Sequence, residues 1–375
     1  MTHTPRGTGF GKIAVGIADA LSLQHAVHLL GVGPAQASEA WAGLAVEPID
    51  IGCTSALRTR LALSKPDVLL LVGVNTLTAW QAKKVRADGY AGILVAYVPV
   101  EGPIHTIDRL QGLRACTAFI AYHATGAQLL SKALGRECPW IYHGADIAAV
   151  PSTTPRQQLR HQLLPAAGRH TEKVWILNAN RHDGRKCPEL TLRAFATIHT
   201  LVPAVVLVMH CNPKRPGVNL RIERDRLGLL DQVIFTRDEI PGPWSDAQLS
   251  DLYSCCEIGV SSALGEGWGL IPFEHALRGG AQILPAHAGL VELWEDAPQW
   301  VPVSASMRMD AVSSGLAPNV DVLAAAMLAL AQDATLTRQK ADACGLHARR
   351  ASFSWDTVGS QWLDLIARLL VMSGS

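Results

Sequence analysis

The chain has 375 residues, with 33 Lys and Arg against 32 Asp and Glu for a net charge of +1, 49% hydrophobic and 17% charged. At roughly 100–200 residues per domain this predicts two domains, and the aliphatic content is too high for a disordered chain. Residues 1–150 carry 12 basic and 10 acidic side chains, so neither half is an electrostatic magnet for nucleic acid or an anionic membrane. The eight cysteines form no C-x-x-C, and several lie in apolar runs where a thiol packs as a small hydrophobe. The first eight residues are polar, unlike a signal peptide, and no run approaches the about 20 apolar residues of a membrane span. A soluble protein of the reducing cytoplasm, without stable membrane insertion, is the expectation.

The first 150 residues alternate apolar runs with amphipathic stretches. Strands are predicted at His25–Val32, Val46–Ile51, Val68–Val74, Ile93–Pro99, Ala118–Tyr122 and Pro139–Tyr142, and helices at Ile13–Leu21, Leu77–Asp88 and Ala127–Leu134. Strands spaced by helices imply parallel βαβ units with both sheet faces covered. One feature is odd: a helix after Gly11 should follow a first strand, yet only Met1–Thr8 precede it, and they are not strand-like. Either that strand is missing or something else fills its position in the sheet.

Pro151–Lys173, rich in Pro, Thr, Gln and Arg, reads as a linker with one short helix. A second α/β series follows. Its strands are expected at Val174–Asn178, Ala204–His210, Val233–Thr236, Ile258–Ser261, Ala281–Leu284 and Trp300–Val303; its helices at Pro188–His199, Ala247–Cys255, Pro272–Arg278 and Asp321–Gln332. Trp355–Met372 closes the chain as one long amphipathic helix. The organisation is an α/β protein of two doubly wound lobes: 1–150, a linker 151–172, a second lobe 173–352, and a final helix within 353–375. Such lobes bind ligands at the carboxyl ends of their strands, in the cleft.

The segment from Ser262 to Gly280 carries the sharpest signal. A strand runs into a glycine-rich loop (Gly265, Gly267, Gly269) and then a helix with Pro272 near its first turn; glycines there let backbone N–H groups approach an anion at the helix N-terminus. Glu266 lies in the loop and Glu274 in the expected first turn, where both could accept hydrogen bonds from the hydroxyls of one ligand. A helix start with a favourable acid would look similar. The second segment, Asn178 to Glu189, follows the first strand of lobe two and gathers Arg181, Arg185 and Lys186, suited to phosphate oxygens or simply to a solvated loop. Trp268 either walls a pocket or packs at a strand end.

Glu266 and Glu274, with seven residues between, resemble the E-x7-E motif of retaining GT-B glycosyltransferases, particularly glycosyltransferase family 4. Asn178-Ala179-Asn180-Arg181 with Arg185-Lys186 resembles that family's basic diphosphate clamp. Gly7-Thr8-Gly9-Phe10-Gly11 resembles its N-terminal glycine loop, His143-Gly144-Ala145-Asp146 the turn closing its first domain, and Phe353-Ser354-Trp355 the entry to its last helix. The resemblance covers most of the chain, strongly across 174–300. It implies the GT-B fold, with two Rossmann-like domains facing a cleft and the C-terminal helix crossing back to the N-terminal domain.

It also implies a nucleotide-sugar donor held by Arg181 and Lys186. Glu266 and the backbone from Gly267 through Trp268, Gly269, Leu270 and Ile271 would meet sugar and phosphate, and Glu274 the ribose. Gly9, Phe10, Asn180 and, in the stretch Thr236–Ile240 near the nucleobase, Arg237 would complete the donor side. Val100 stands where the family has a catalytic histidine, before Glu101-Gly102-Pro103; Glu101 or His105 could occupy that space, and His143 is singled out by position. No D-x-D metal carrier occurs, so transfer without metal or cofactor is expected. The acceptor is open: a small molecule, a glycan or a hydroxylated nucleobase in DNA. Gly9-Phe10-Gly11-Lys12-Ile13-Ala14 also fits a dinucleotide fingerprint, but no strand precedes it and His25–Val32 lacks a ribose-binding acid. A sugar-nucleotide epimerase and a non-catalytic nucleotide-sugar-binding protein are the alternatives.

Overall fold

The computed structural model describes residues 2–3, 9–32, 39–41, 44–49 and 54–374. Gly7, Thr8 and Cys53, and the end of the expected Val46–Ile51 strand, lie outside them. In chain order the first elements are β1 (Thr2–His3), α1 (Gly9–Ser22), β2 (Leu29–Val32), β3 (Glu39–Trp41), β4 (Leu44–Ile49), α2 (Thr54–Ser64), β5 (Val68–Val72), α3 (Asn75–Ala87), β6 (Ile93–Val98), β7 (Ala118–Ala121) and α4 (Ala124–Leu134). There follow α5 (Arg156–Leu163), β8 (Val174–Asn178), α6 (Pro188–Ile198), β9 (Val205–Met209), β10 (Lys214–Arg215), β11 (Val218–Asn219), α7 (Leu220–Arg226), β12 (Val233–Phe235), α8 (Thr236–Glu239) and α9 (Asp246–Cys255). The rest are β13 (Ile258–Val260), α10 (Leu270–Leu277), β14 (Ala281–Pro285), α11 (Ala288–Trp294), β15 (Gln299–Val301), β16 (Val303–Arg308), β17 (Ser314–Pro318), α12 (Val320–Gln332), α13 (Ala334–Ala348) and α14 (Trp355–Gly374).

Two compact units result: Met1–Ala145 with Asp310–Ser313 and Ala351–Ser375, and Asp146–Met309 with Ser314–Arg350. In the first, β5, β6 and β7 form a parallel sheet. Every residue of β6 is buried, as a strand covered on both faces requires. A second sheet runs β1-β2-β4-β3, with β1, β2 and β4 parallel and β3 antiparallel on the edge. The position that lacked a strand in the sequence pattern is therefore held by Thr2–His3, paired with Gly31 and Val32. Pro139–Tyr142 is not a strand: a single bridge joins Trp140 to Ala121, and Pro139 has no N–H with which to extend the ladder.

The final helix is locked into this unit by close backbone approach. The Ala145 N–H donates to Phe353 O at 2.7 Å, so the His143–Asp146 turn and the Phe353–Trp355 entry meet. The Trp355 indole lies against two glycines; a Cβ on Gly16 or Gly144 would come within 2.3 or 2.1 Å of its ring. Further along, Trp362 packs edge-on against Tyr97, their centroids 4.9 Å apart.

The second unit is built on one six-stranded parallel sheet, ordered β12-β9-β8-β13-β14-β15. Its two faces carry separate apolar clusters, one around Phe195, Leu207 and Met327, the other around Trp175, Val206 and Leu252. The segment expected as a linker belongs to this unit. Buried Arg160 of α5 donates to Cys255 O at 3.0 Å, to Thr171 O and Lys173 O at 2.8 Å, and to the Glu257 carboxylate at 2.7 Å. Among the described residues no single helix is long and apolar enough to cross a membrane.

Gly16→Ala and Gly144→Ala should each lower stability by about 1–3 kcal/mol, the usual cost of overpacking a filled site. Scanning calorimetry of the full chain should show a melting temperature reduced by several degrees for both. Gly184→Ala, whose Cβ meets nothing within 4 Å, should melt as the parent does.

Candidate functional site at the switch point of the second sheet

The strand order of the second unit reverses between β8 and β13. From β8 the chain moves outward through β9 to β12; from β13 it moves the other way to β14 and β15. The loops leaving the carboxyl ends of these two strands lie at this switch point, the place where doubly wound sheets take ligands. They fall in the two segments singled out in the sequence, Asn178 to Glu189 and Ser262 to Gly280.

Each loop is tied down by its own polar groups. Asp183 Oδ1 accepts from the N–H groups of Arg185 at 3.1 Å and Lys186 at 2.9 Å, an Asx turn that aims both cations. Cys187 follows in the left-handed region at φ +43, and Pro188 opens α6, where its missing N–H costs nothing. On the other loop, Gly269 sits at φ +90 just before α10, a conformation open to glycine without strain. The loops are joined by the Leu264 N–H to Arg185 O at 2.7 Å and by the Ser262 hydroxyl to Cys187 O at 2.8 Å. Asn180 is buried, its N–H on Asn178 Oδ1 at 3.0 Å.

At the junction Glu266 is enclosed by cations. Lys186 Nζ is bonded to Glu266 Oε2, and Arg185 Nη1 stands 3.4 Å from the same oxygen while donating to Gly265 O at 2.8 Å. Burial alone would push the Glu266 carboxyl up, but Lys186 and then Arg185 outweigh it and hold the group below its ordinary 4.5. Behind the loop, His287 Nε2–H donates to Ala263 O at 2.7 Å; burial holds its pKa below the ordinary range and the ring stays neutral.

Arg181 is not in this group. Its side chain is 81% exposed and pairs with Asp183 at 3.1 Å, and the neighbour Arg185 takes the inward place. Glu274 lies in the second turn of its helix, because α10 begins at Leu270 rather than Pro272; its carboxylate accepts from the Tyr253 hydroxyl at 3.1 Å. Trp268, 3% exposed, stacks on Phe273 at 5.1 Å and packs inward. Gly267 and Gly269 are buried, and Leu270 and Ile271 form the partly exposed first turn of α10. Arg237 belongs to α8, at the carboxyl end of β12. Beside it, His210 Nδ1 meets Thr236 Oγ1 at 2.8 Å, and burial, reinforced by Arg237, pushes His210 down to about 4.

The remaining candidates belong to the first unit. Gly9 and Phe10 open α1. Glu101 is half-buried three residues past Val98, and His105 is exposed, its N–H on Val312 O at 2.9 Å. His143 is buried. Tyr97 gives its hydroxyl proton to Ile141 O at 2.7 Å and accepts from His143 Nδ1 at 2.8 Å, while burial, and then His123, depress the histidine far below its ordinary pKa. Sequence reasoning missed the roles of Arg185, Tyr253 and His287. Asp-Gly followed by two cations signals the turn that aims Arg185, whereas nothing local marks Tyr253 or His287. Among the described residues no three or more His, Cys, Asp or Glu side chains gather as a metal site.

Removing either partner of the Glu266–Lys186 pair leaves the other, largely buried charge less well compensated. Lys186→Met and Glu266→Gln should each destabilise the chain more than the double variant implies, with a coupling of about 1–3 kcal/mol in a double-mutant cycle of denaturant melts. A carboxyl with a depressed folded pKa stabilises fully above its unfolded value and loses that contribution as pH falls through the folded one. The coupling should therefore be constant above about pH 5 and fade below 4.5.

No protein-family model and no curated protein matches the sequence. Solved structures do. Anabaena HepE in complex with UDP and glucose is 16% identical over 98% of each chain, with a TM-score of 0.73. Sucrose-phosphate synthase from Thermosynechococcus elongatus is 18% identical over 97% of this chain and 94% of its own, with a TM-score of 0.75. A UDP-forming α,α-trehalose-phosphate synthase from Burkholderia xenovorans is 16% identical over 98% of each, at 0.65. At such identities the likeness concerns the architecture, and with the parallel sheets and the final helix returned to the first unit it establishes that the chain has the GT-B fold.

Proposed function

We propose that the chain is a glycosyltransferase that moves a sugar from a nucleotide-sugar donor to an acceptor hydroxyl, with retention and without a metal ion. The observation that carries this reading is Glu266, part-buried and held ionised by Lys186 and Arg185 in a glycine loop at the switch point, just before a helix N-terminus. An anionic hydrogen-bond acceptor beside fixed cations and backbone N–H groups suits a molecule bearing sugar hydroxyls at one end and a diphosphate at the other. The fold likeness to proteins solved with UDP and glucose supports the same donor class.

In the proposed reaction the bond between the anomeric carbon and the diphosphate oxygen breaks while the acceptor oxygen attacks from the same face, and the acceptor proton passes to the departing phosphate oxygen. Negative charge grows on the diphosphate, so cations already in place lower the barrier without reorganising. Lys186 is the first of these. Arg181 is the second: an exposed ion pair contributes little, so its guanidinium can leave Asp183 for phosphate. Arg185 stays on Gly265 O and keeps the loop shaped. Glu274, steadied by Tyr253, is assigned to the ribose, Arg237 to the base side, and Glu101 to the acceptor hydroxyl.

The test is incubation with a panel of nucleotide sugars and simple acceptors in excess EDTA, reading released nucleoside diphosphate and anomeric configuration by NMR. Release with retained configuration is expected, and Lys186→Ala should weaken nucleoside diphosphate binding about 10- to 100-fold while leaving nucleoside binding nearly unchanged. Release only after Mn²⁺ or Mg²⁺ is restored, an inverted product, or an epimerised donor would each contradict the reading. Binding of a donor that is never turned over identifies a binding protein instead.

A further inference from the structure

The stretch from Pro99 to Leu110 leaves β6 and forms neither helix nor strand ladder, yet it carries Glu101 and His105. Gly102 adds backbone freedom and Pro103 has no N–H, so the sequence itself does little to fix its course. The backbone is held from outside. The N–H groups of His105 and Thr106 both donate to Val312 O, at 2.9 and 3.4 Å, and Ile104 forms an antiparallel bridge with Ser313. These partners stand at the tip of the β16–β17 hairpin. Its exposure is the reverse of the usual one, since turns ordinarily run over the surface. Most of β16 is exposed, whereas Val312 and Ser313 in the turn are 0% and 3% exposed. Asp310–Ser313 belongs to the first unit, and Val312 joins the apolar cluster of Val98, Val100 and Leu110.

One carboxylate shapes this tip. Asp310 Oδ1 accepts from the N–H groups of Val312 and Ser313, both at 2.7 Å, and Oδ2 from the Ser313 hydroxyl at 3.0 Å. It is the device that Asp183 uses in the second unit, where the captured N–H groups are those of Arg185 and Lys186. There the turn aims cations; here it directs the Val312 carbonyl at His105 and Thr106. We propose that Asp310 is a positioning residue for the acceptor side: its turn fixes the Val312 carbonyl, and that carbonyl fixes the segment bearing Glu101 and His105. The functional part of this rests on the assignment of Glu101 to the acceptor hydroxyl. Hairpins most often close with two residues, whereas this one uses the five from Met309 to Ser313 between the Arg308–Ser314 pair. The added length carries Val312 to the backbone of 104–106.

The test compares Asp310→Ala with Asp310→Asn, which keeps an acceptor at Oδ1. Amide hydrogen exchange at His105 and Thr106 should quicken about tenfold in the Ala variant, the scale of one lost hydrogen bond, and return most of the way in the Asn variant. The carbon-13 signal of the Glu101 carboxyl, assigned from Glu101→Gln, should move in the Ala variant and not in the Asn variant. In turnover, Asp310→Ala should lose about tenfold in kcat/KM for the acceptor with nucleoside diphosphate affinity unchanged, and Asp310→Asn should recover it. Should the Ala variant fail to fold, Ser313→Ala, which removes the Oδ2 bond alone, takes its place with a smaller change in the same direction. Unaltered exchange with an unmoved Glu101 signal overturns the proposal, whatever the chain catalyses. So does faster exchange with an unaltered acceptor kcat/KM, or a matching loss of diphosphate affinity, since either makes the turn a support of the fold alone. If the parent transfers no sugar, the transfer reading fails, and the exchange and carboxyl signals still decide whether Asp310 positions the segment.

Discussion

A carboxylate buried between two cations is the constraint around which the second unit is arranged. Lys186 and Arg185 hold Glu266 ionised where burial alone would raise its pKa, and Glu266 in turn offsets the cost of drawing the two cations out of water. Their shared junction ties the loop after β8 to the loop after β13 at the point where the sheet reverses, so electrostatics and topology select the same place. The Asx turn at Asp183, the left-handed Cys187 and Gly269 are what the backbone does to bring these groups together. A diphosphate bound there, as proposed, would meet a lysine already desolvated and oriented, which is the condition for electrostatic preorganisation.

The first unit depends on a different device, close approach of backbone to aromatic rings. Gly16 and Gly144 let Trp355 lie flat between two segments far apart in sequence, and the Ala145–Phe353 hydrogen bond closes the join. Beneath it Tyr97, Tyr122 and His143 form a buried aromatic cluster, with burial raising both phenols and lowering the imidazole. This makes His143 a member of the core, held by Tyr97.

Much of this was legible in the residues. The buried parallel strands of the second sheet are short aliphatic runs, and β8 coincides with its expected bounds because apolar character stops sharply at Asn178. The glycine loop and basic loop were legible as segments, since spacing after a strand locates them. Which cation turns inward was not. Arg181 and Arg185 are alike in composition, and the choice rests on Asp183 capturing the N–H groups of 185 and 186 while its other oxygen draws Arg181 outward. The hairpin of β16 and β17 and helix α13 also escaped the pattern, the one because β16 is mostly exposed and the other because its apolar face is weak. β1 was invisible because two residues carry no periodicity; only the pairing with Gly31 and Val32 makes them a strand.

The central claim is that the diphosphate of a nucleotide sugar takes up the charge of Lys186 that Glu266 now holds. Carbon-13 labelling of the glutamate carboxyls, with Glu266 assigned from the Glu266→Gln spectrum, allows its titration to be followed with and without a saturating nucleoside diphosphate. The account predicts that the Glu266 carboxyl, depressed in the unliganded chain, titrates at higher pH once the diphosphate draws Lys186 away. A titration unchanged by a diphosphate that demonstrably binds would place the anion elsewhere and contradict it.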